Sequence, residues 1–231
     1  MLAEAISNRL NHSQLVAAGV RAAVVAVLFA GVCTVCTLPG TAAAREGGPR
    51  IVALGDSLTS GRGIGRALAY PAVLQARLAD NGYDYEVVNA GVSGDTTAGA
   101  LRRLRDAIDG DVEVLIVALG ANDGLRGVRV EDLSANLGQI IETAQQRGIR
   151  VVLVGMDALP VHGWAYSVSF HRAYEELAAR YRVPLVPFVL LNVMTNPALM
   201  QRDRVHPNEA GARAIADHIW PYLETILRKN A

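Results

Sequence analysis

Five short, unbroken apolar runs, separated by stretches of helical period, constrain this chain more than any other feature. Arg50 to Leu54, Glu86 to Val88, Val112 to Leu119, Val151 to Gly155 and Leu185 to Phe188 are rich in Val, Ile and Leu and do not alternate with polar residues. Such runs suit strands covered on both faces, and a strand reached through a helix lies parallel to the one before it. Between them, Leu133, Leu137, Ile140, Ile141 and Ala144 share one face of a helix that Gly148 can close as a left-handed cap. Leu101, Leu104 and Ile108 mark an earlier helix, and Phe170, Tyr174, Leu177 and Tyr181 a later one. The last helix is expected to start near Asn208, a favourable N-cap, and to run through Ile215, Ile219, Leu223 and Ile226 with a bend at Pro221. The alternation predicts a flavodoxin-like three-layer α/β/α sandwich on a five-stranded parallel sheet, with ligands bound beyond the carboxyl ends of the strands.

The 231 residues, 51% of them hydrophobic, suffice for one domain with a substantial core. A formal net charge of zero gives no electrostatic grip on nucleic acid or anionic headgroups, so a small-molecule partner and a monomer are expected. Residues 1–44 are a different kind of sequence. Leu15 to Leu38 is almost wholly apolar, Arg9 and Arg21 are basic, and Ala42-Ala43-Ala44 precede the polar Arg45. That is the pattern of a secretory signal peptide, with an N-terminal membrane anchor as the alternative because the stretch is nearly long enough to span a bilayer. Both readings predict export, periplasmic or secreted, with membrane contact only through the leader and one domain over residues 49–231. Cys33 and Cys36 form a Cys-x-x-Cys pair, but both lie inside the leader and no other cysteine exists to complete a zinc site. Neither follows the small-residue pattern expected before a lipidated cysteine.

Chemistry concentrates at the strand ends. Gly55-Asp56-Ser57-Leu58 follows the first run directly and places Ser57 where a strand turns into a helix. The second run leads into Gly91-Val92-Ser93-Gly94-Asp95-Thr96, and the third into Gly120-Ala121-Asn122-Asp123-Gly124-Leu125-Arg126-Gly127. Asp203-Arg204-Val205-His206 precedes the last helix. A serine hydroxyl becomes a competent nucleophile when an imidazole takes its proton and a carboxylate fixes the imidazole's tautomer. Asp203 and His206, three residues apart, can present both groups from one turn. Acyl transfer also needs donors aimed at the developing oxyanion, a task suited to the N–H groups of Ser57 and Gly94 and the side-chain amide of Asn122. Each feature has a plainer reading: Ser57 as a helix cap, the glycines as positive-φ turn residues, Asn122 as a turn hydrogen bonder. That plainer reading is kept for Gly91 and Gly124. For the rest, convergence of four loops on one sheet edge favours catalysis.

These four blocks resemble those of the SGNH (GDSL) hydrolases, and the fuller strings around Gly94 and Asn122 resemble the bacterial arylesterase and multifunctional acyl-thioesterase/lysophospholipase branch. The resemblance runs from about Arg50 to the C-terminus, in the family's order. It implies Ser57 as nucleophile, His206 as base, Asp203 as its orienter, and Ser57, Gly94 and Asn122 as the oxyanion hole. The implied enzyme needs no cofactor or metal and cleaves aryl, acyl, lysophospholipid or thio esters through an acyl-enzyme. Removal of O-acetyl groups from a polysaccharide is the alternative reaction, and a non-catalytic flavodoxin-like phosphate binder the alternative of another class. Leu125, Leu159, Pro160, Val161, Trp164 and Tyr166 are expected to border the acyl site. His12, His162, His171 and His218 stand singly, without a second ligand at metal spacing. Asp56, Asp95 and Asp123 are expected to accept from backbone N–H groups rather than hold magnesium. Gly61-Arg62-Gly63-Ile64-Gly65 lacks the Lys-Ser/Thr ending of a phosphate loop and is expected beside the acyl pocket.

Overall fold

A computed structural model of the chain describes residues 48–228, so the leader with Cys33 and Cys36 lies outside the described residues. The five apolar runs are the strands: β1 (Arg50–Gly55), β2 (Glu86–Gly91), β3 (Val112–Ala118), β4 (Arg150–Val154) and β5 (Leu185–Val186). They form one all-parallel sheet in the order β2-β1-β3-β4-β5. Ile51 to Leu54 and Val114 to Val117, on the two strands nearest the middle of the chemistry, have no exposed surface. Burial on both faces is why these strands lack a polar alternation. β2 runs further than the sequence suggested, since Asn89, Ala90 and Gly91 keep pairing with Ala53, Leu54 and Gly55. β5 is shorter, and Pro187, which has no N–H for the ladder, follows its last residue.

The helices are α1 (Ser57–Ser60), α2 (Tyr70–Asp80), α3 (Thr97–Arg102), α4 (Leu104–Ala107), α5 (Ala121–Arg126), α6 (Val130–Gln146), α7 (Trp164–Tyr181) and α8 (Glu209–Arg228). α2 packs on α8, while α6 packs on both α3 and α7. The apolar stripe of α6 is fully buried at Leu133, Leu137, Ile140 and Ile141. Burying each such side chain contributes about 1.5–3 kcal/mol, well above the few tenths that separate ordinary residues in helix propensity, so packing holds the helix in place. Its end is closed as expected: Gly148, at φ 74°, donates to Gln145 O at 2.9 Å, and Ile149 N donates to Ala144 O at 3.0 Å. Asn208 caps α8 by accepting from Gly211 N at 3.0 Å, and the helix continues through Pro221.

Two expectations are corrected. The helix expected over Leu101, Leu104 and Ile108 is the pair α3 and α4, broken at Arg103. The Arg103 guanidinium binds the Asp95 carboxylate, Ala90 O and Gly55 O, which ties the break to the ends of β1 and β2. The segment after β3, read as a loop, is the short helix α5, bounded by Gly120 and Gly127 in positive-φ conformations. Six residues are too few for apolar periodicity to register.

Candidate active site

The sheet order creates a switch point. From β1 the chain crosses to β2 on one side, whereas β3, β4 and β5 extend the sheet on the other. A crevice therefore opens at the carboxyl ends of β1 and β3, where such sheets bind their ligands. Ser57 follows β1 and Asn122 follows β3, so the two flank it.

Asp56 starts α1 by accepting from Leu58 N at 3.0 Å, which leaves Ser57 as the first helical residue. The Asp56 side chain is fully buried. Burial pushes its carboxyl up to about 6, against the opposing hydrogen bond from Leu58 N–H. On the other side of the crevice, Asp203 closes a tight turn by accepting from the N–H groups of Val205 and His206, each at 3.0 Å. The turn is held by Gln201 N donating to His206 O at 2.8 Å and by a bridge between Met200 and Pro207.

These two turns bring the groups into series. Ser57 Oγ lies 3.1 Å from His206 Nε2, and His206 Nδ1 lies 2.7 Å from Asp203 Oδ2. The N–H of His206, then its ring and the N–H of Val205, hold the Asp203 carboxyl well below the usual carboxylate range. An ionised Asp203 only accepts, so the Nδ1 facing it carries a proton, and in the neutral ring Nε2 is left to accept from the Ser57 hydroxyl.

The donors differ in readiness. Gly94, at φ 81°, has its carbonyl held by Arg126 at 3.0 Å, and no acceptor among the described residues takes its N–H. Asn122 is also on the cavity wall, but its Nδ2 donates to Asp95 O at 2.9 Å and lies 3.3 Å from Asp56 Oδ2. A new oxyanion would compete with the longer of these bonds. Asp123, buried, accepts from Thr97 N–H and hydroxyl, pinning α5 to α3 and so the Asn122 loop to the Gly94 loop. Asp95 accepts from Thr96 N–H and pairs with Arg103 at 2.8 Å. Each of the three aspartates is thus bonded to protein donors.

Gly91 and Gly124, read as positive-φ turn residues, are not in that region. They are close-approach glycines instead: a Cβ at Gly91 would sit 2.3 Å from Ser60 N, and one at Gly124 would sit 3.1 Å from Ala158 Cβ.

A cavity of about 550 Å³ opens beside Ser57, His206, Gly94 and Asn122. Leu125, Leu159 and Pro160 line it as expected, but Val161, Trp164 and Tyr166 do not. The 3-10 turn Pro160–His162 leaves Val161 69% and Trp164 76% exposed, while the Tyr166 hydroxyl donates to Val128 O at 2.8 Å with its ring against His162 and Phe170. Trp164 lines a shallow groove with Val168 and His171. The sequence reading missed Met156, Phe188, Leu190, Met194 and Met200, which make up much of the wall. Met156 follows β4, and the other four belong to a set of apolar residues after β5 with neither strand nor helix period.

A serine, a histidine and a carboxylate in hydrogen-bonded series, set at the switch point of a parallel sheet beside an apolar cavity, define a class: hydrolases that work by acyl transfer. Residues 53–214 match the GDSL-like Lipase/Acylhydrolase family, and the chain belongs to it. Over 203 residues it is 38% identical to Esterase TesA of Pseudomonas aeruginosa, spanning 87% of this chain and 99% of that one. To Thioesterase 1/protease 1/lysophospholipase L1 of Escherichia coli it is 31% identical over 182 residues, spanning 78% and 86%. The crystal structure of psychrotrophic esterase EstA from Pseudoalteromonas sp., inhibited by monoethylphosphonate, matches with a TM-score of 0.74 at 28% identity, over 78% of this chain and 100% of that one. The enzyme is a hydrolase of esters.

Proposed function

We propose that Ser57 is the nucleophile, His206 the base and Asp203 the group that orients it, with the N–H groups of Ser57 and Gly94 and the Asn122 amide as the oxyanion hole. His206 Nε2 takes the hydroxyl proton as Ser57 Oγ bonds to the ester carbonyl carbon. The tetrahedral intermediate collapses with the acyl group on Ser57, and the alcohol or thiol leaves with the proton from His206. Water, deprotonated by the same nitrogen, then releases the acid and restores Ser57. The observation that carries this reading is the continuous series from Ser57 Oγ to His206 at 3.1 Å and on to Asp203 at 2.7 Å.

The apolar wall supports an acyl chain or aryl group as the part bound. Met156, Met194 and Met200 are unbranched and adaptable, which suits a range of acyl shapes. Aryl esters, short-to-medium acyl esters, lysophospholipids and thioesters are the proposed substrates. Hydrolysis of p-nitrophenyl butyrate, with and without a serine-directed phosphonate, tests the assignment. The expected outcome is complete inhibition with one phosphonate adduct, located on Ser57 by peptide mass analysis, and loss of on the order of a thousandfold or more in kcat for Ser57→Ala. An adduct elsewhere, or near-normal turnover by Ser57→Ala, overturns it.

A further inference from the structure

Most arginines at this edge of the sheet have structural partners. Arg66 binds Asn89 O and Gly91 O, Arg103 binds Asp95, and Arg126 binds Gly94 O. Arg62 and Arg204 differ. Both line the Ser57 cavity, both are exposed, and neither guanidinium has a carboxylate or carbonyl partner among the described residues. The remaining carboxylate on the cavity wall, Asp157, is 2.7 Å from His171 Nδ1. Two guanidiniums without a protein partner among the described residues therefore stand on the wall beside the serine.

The backbone around both arginines is fixed. Arg62 follows α1, with its N–H donating to Ser57 O at 3.1 Å. Arg204 sits between Asp203 and His206. Gln201 joins the two segments: its Nε2 donates to Arg62 O at 2.7 Å and to Pro207 O at 2.9 Å, and its carbonyl accepts from Arg204 N at 3.0 Å. Arg204 also holds φ 55°, a left-handed conformation that glycine or asparagine adopts at lower cost. The turn geometry needs the backbone there, not an arginine side chain.

We infer that Arg62 and Arg204 together bind a phosphate carried by the leaving group of the substrate. This rests on the esterase reading and narrows it: the acyl chain occupies the apolar wall, and the alcohol or thiol departs with its phosphate between two guanidiniums. A planar guanidinium offers paired N–H donors that match phosphate oxygens, which a neutral donor at the same place would bind less strongly. The phosphate is not transferred. Two sources share this chemistry, the headgroup of a lysophospholipid and the phosphates of a coenzyme A thioester.

The test uses the full chain and two matched pairs of substrates, each pair with one acyl chain. One pair is a lysophosphatidylglycerol and the corresponding monoacylglycerol; the other is an acyl-coenzyme A and the corresponding S-acyl-N-acetylcysteamine. The quantity read is the ratio of kcat/KM for the phosphate-bearing member to that for the neutral one. In wild type this ratio should exceed one in at least one pair and shrink as sodium chloride is raised. It should fall about tenfold in Arg62→Gln or Arg204→Gln and on the order of a hundredfold in the double variant, as expected when charge-assisted hydrogen bonds are removed. Arg62→Lys should retain part of it. The pair that shows the fall identifies the source of the phosphate. Because only a ratio is read, a general loss through the Asp203–His206 turn does not imitate the result, and Arg62→Gln lies outside that turn. No preference in either pair, or an unchanged ratio in the double variant, overturns the inference. Failure of wild type to hydrolyse even p-nitrophenyl butyrate would instead remove the esterase reading beneath it.

Discussion

In the proposed mechanism Asn122 and Asp203 each act through one polar group, and the two are expected to fail differently when altered. The Asn122 amide is positioned by Asp95 O and Asp56, so its truncation removes a placed donor rather than a packing element. Asn122→Ala is expected to lower kcat about a hundredfold with little change in KM, because an oxyanion donor acts on charge that develops only in the transition state. Steady-state kinetics check this, and a change confined to KM would reassign Asn122 to substrate binding. Asp203→Asn keeps the shape of the turn but no longer fixes the proton on His206 Nδ1. Its kcat should drop on the order of a thousandfold or more. A pH profile of Asp203→Asn that keeps most of the wild-type kcat would reduce Asp203 to a loop cap.

At the level of elements, the end of β2 and the helix that carries Ser57 are in backbone contact. A Cβ on Gly91 would lie 2.3 Å from Ser60 N and 2.7 Å from Thr59 C, and neither atom belongs to a flexible side chain. Gly91→Ala therefore has to displace α1 against β2. Overpacking of this kind costs about 1–3 kcal/mol. The expected outcome is a lower thermal midpoint together with reduced kcat, because the displaced helix begins with Ser57. Differential scanning calorimetry beside ester hydrolysis checks both, and unchanged kcat in a destabilised variant would show that α1 holds its place.

For the whole molecule, the buried Asp56 carboxyl sets a pH dependence of stability. Its carboxyl is raised from 3.8 to about 6 in the folded state, so the fold binds an extra proton between those values. The stability this contributes is present in full below the unfolded value and is lost as pH rises through about 6. A shift of roughly two units corresponds to about 3 kcal/mol. Asp203 has the opposite sign: its stabilising bonds persist above the ordinary carboxylate range and are lost only as pH falls below it. Asp56→Asn cannot ionise, so its stability relative to wild type should increase from pH 4 to pH 7 by about 2 kcal/mol, most of that total, even though it loses an acceptor for Leu58 N or Asn122. Denaturant unfolding across this range measures it, and a pH-independent difference would mean Asp56 stays ionised in the fold. We further propose that residues 1–44 direct export and are removed near Arg45, leaving a cysteine-free, monomeric domain. Intact-mass analysis of the exported protein decides this, since a retained leader partitioning with membranes would make it an anchor.

What the sequence by itself determined is local and periodic. Unbroken apolar runs marked β1, β3 and β4 because both of their faces are buried, and the stripe at Leu133, Leu137 and Ile140 marked α6 because one face is. Since βα units make the strands parallel, all strand ends meet at one edge, and the segments bearing Ser57, Gly94, Asn122 and His206 were legible as neighbours from their order alone. Only the tertiary structure decided the rest. That β1 lies beside β3, so that Ser57 and Asn122 face one crevice, follows from sheet order, which no local pattern records. The cavity wall at Phe188, Leu190, Met194 and Met200 comes from irregular segments, where no period marks which side chain turns inward. Trp164, apolar and close in sequence to the wall, is turned to solvent by a 3-10 turn. The burial of Asp56 and the partners of Asn122 depend on contacts between β1, the Gly94 loop and α5, far apart in the chain. Periodicity reports which face of an element is buried; what lies against that face is set by long-range packing.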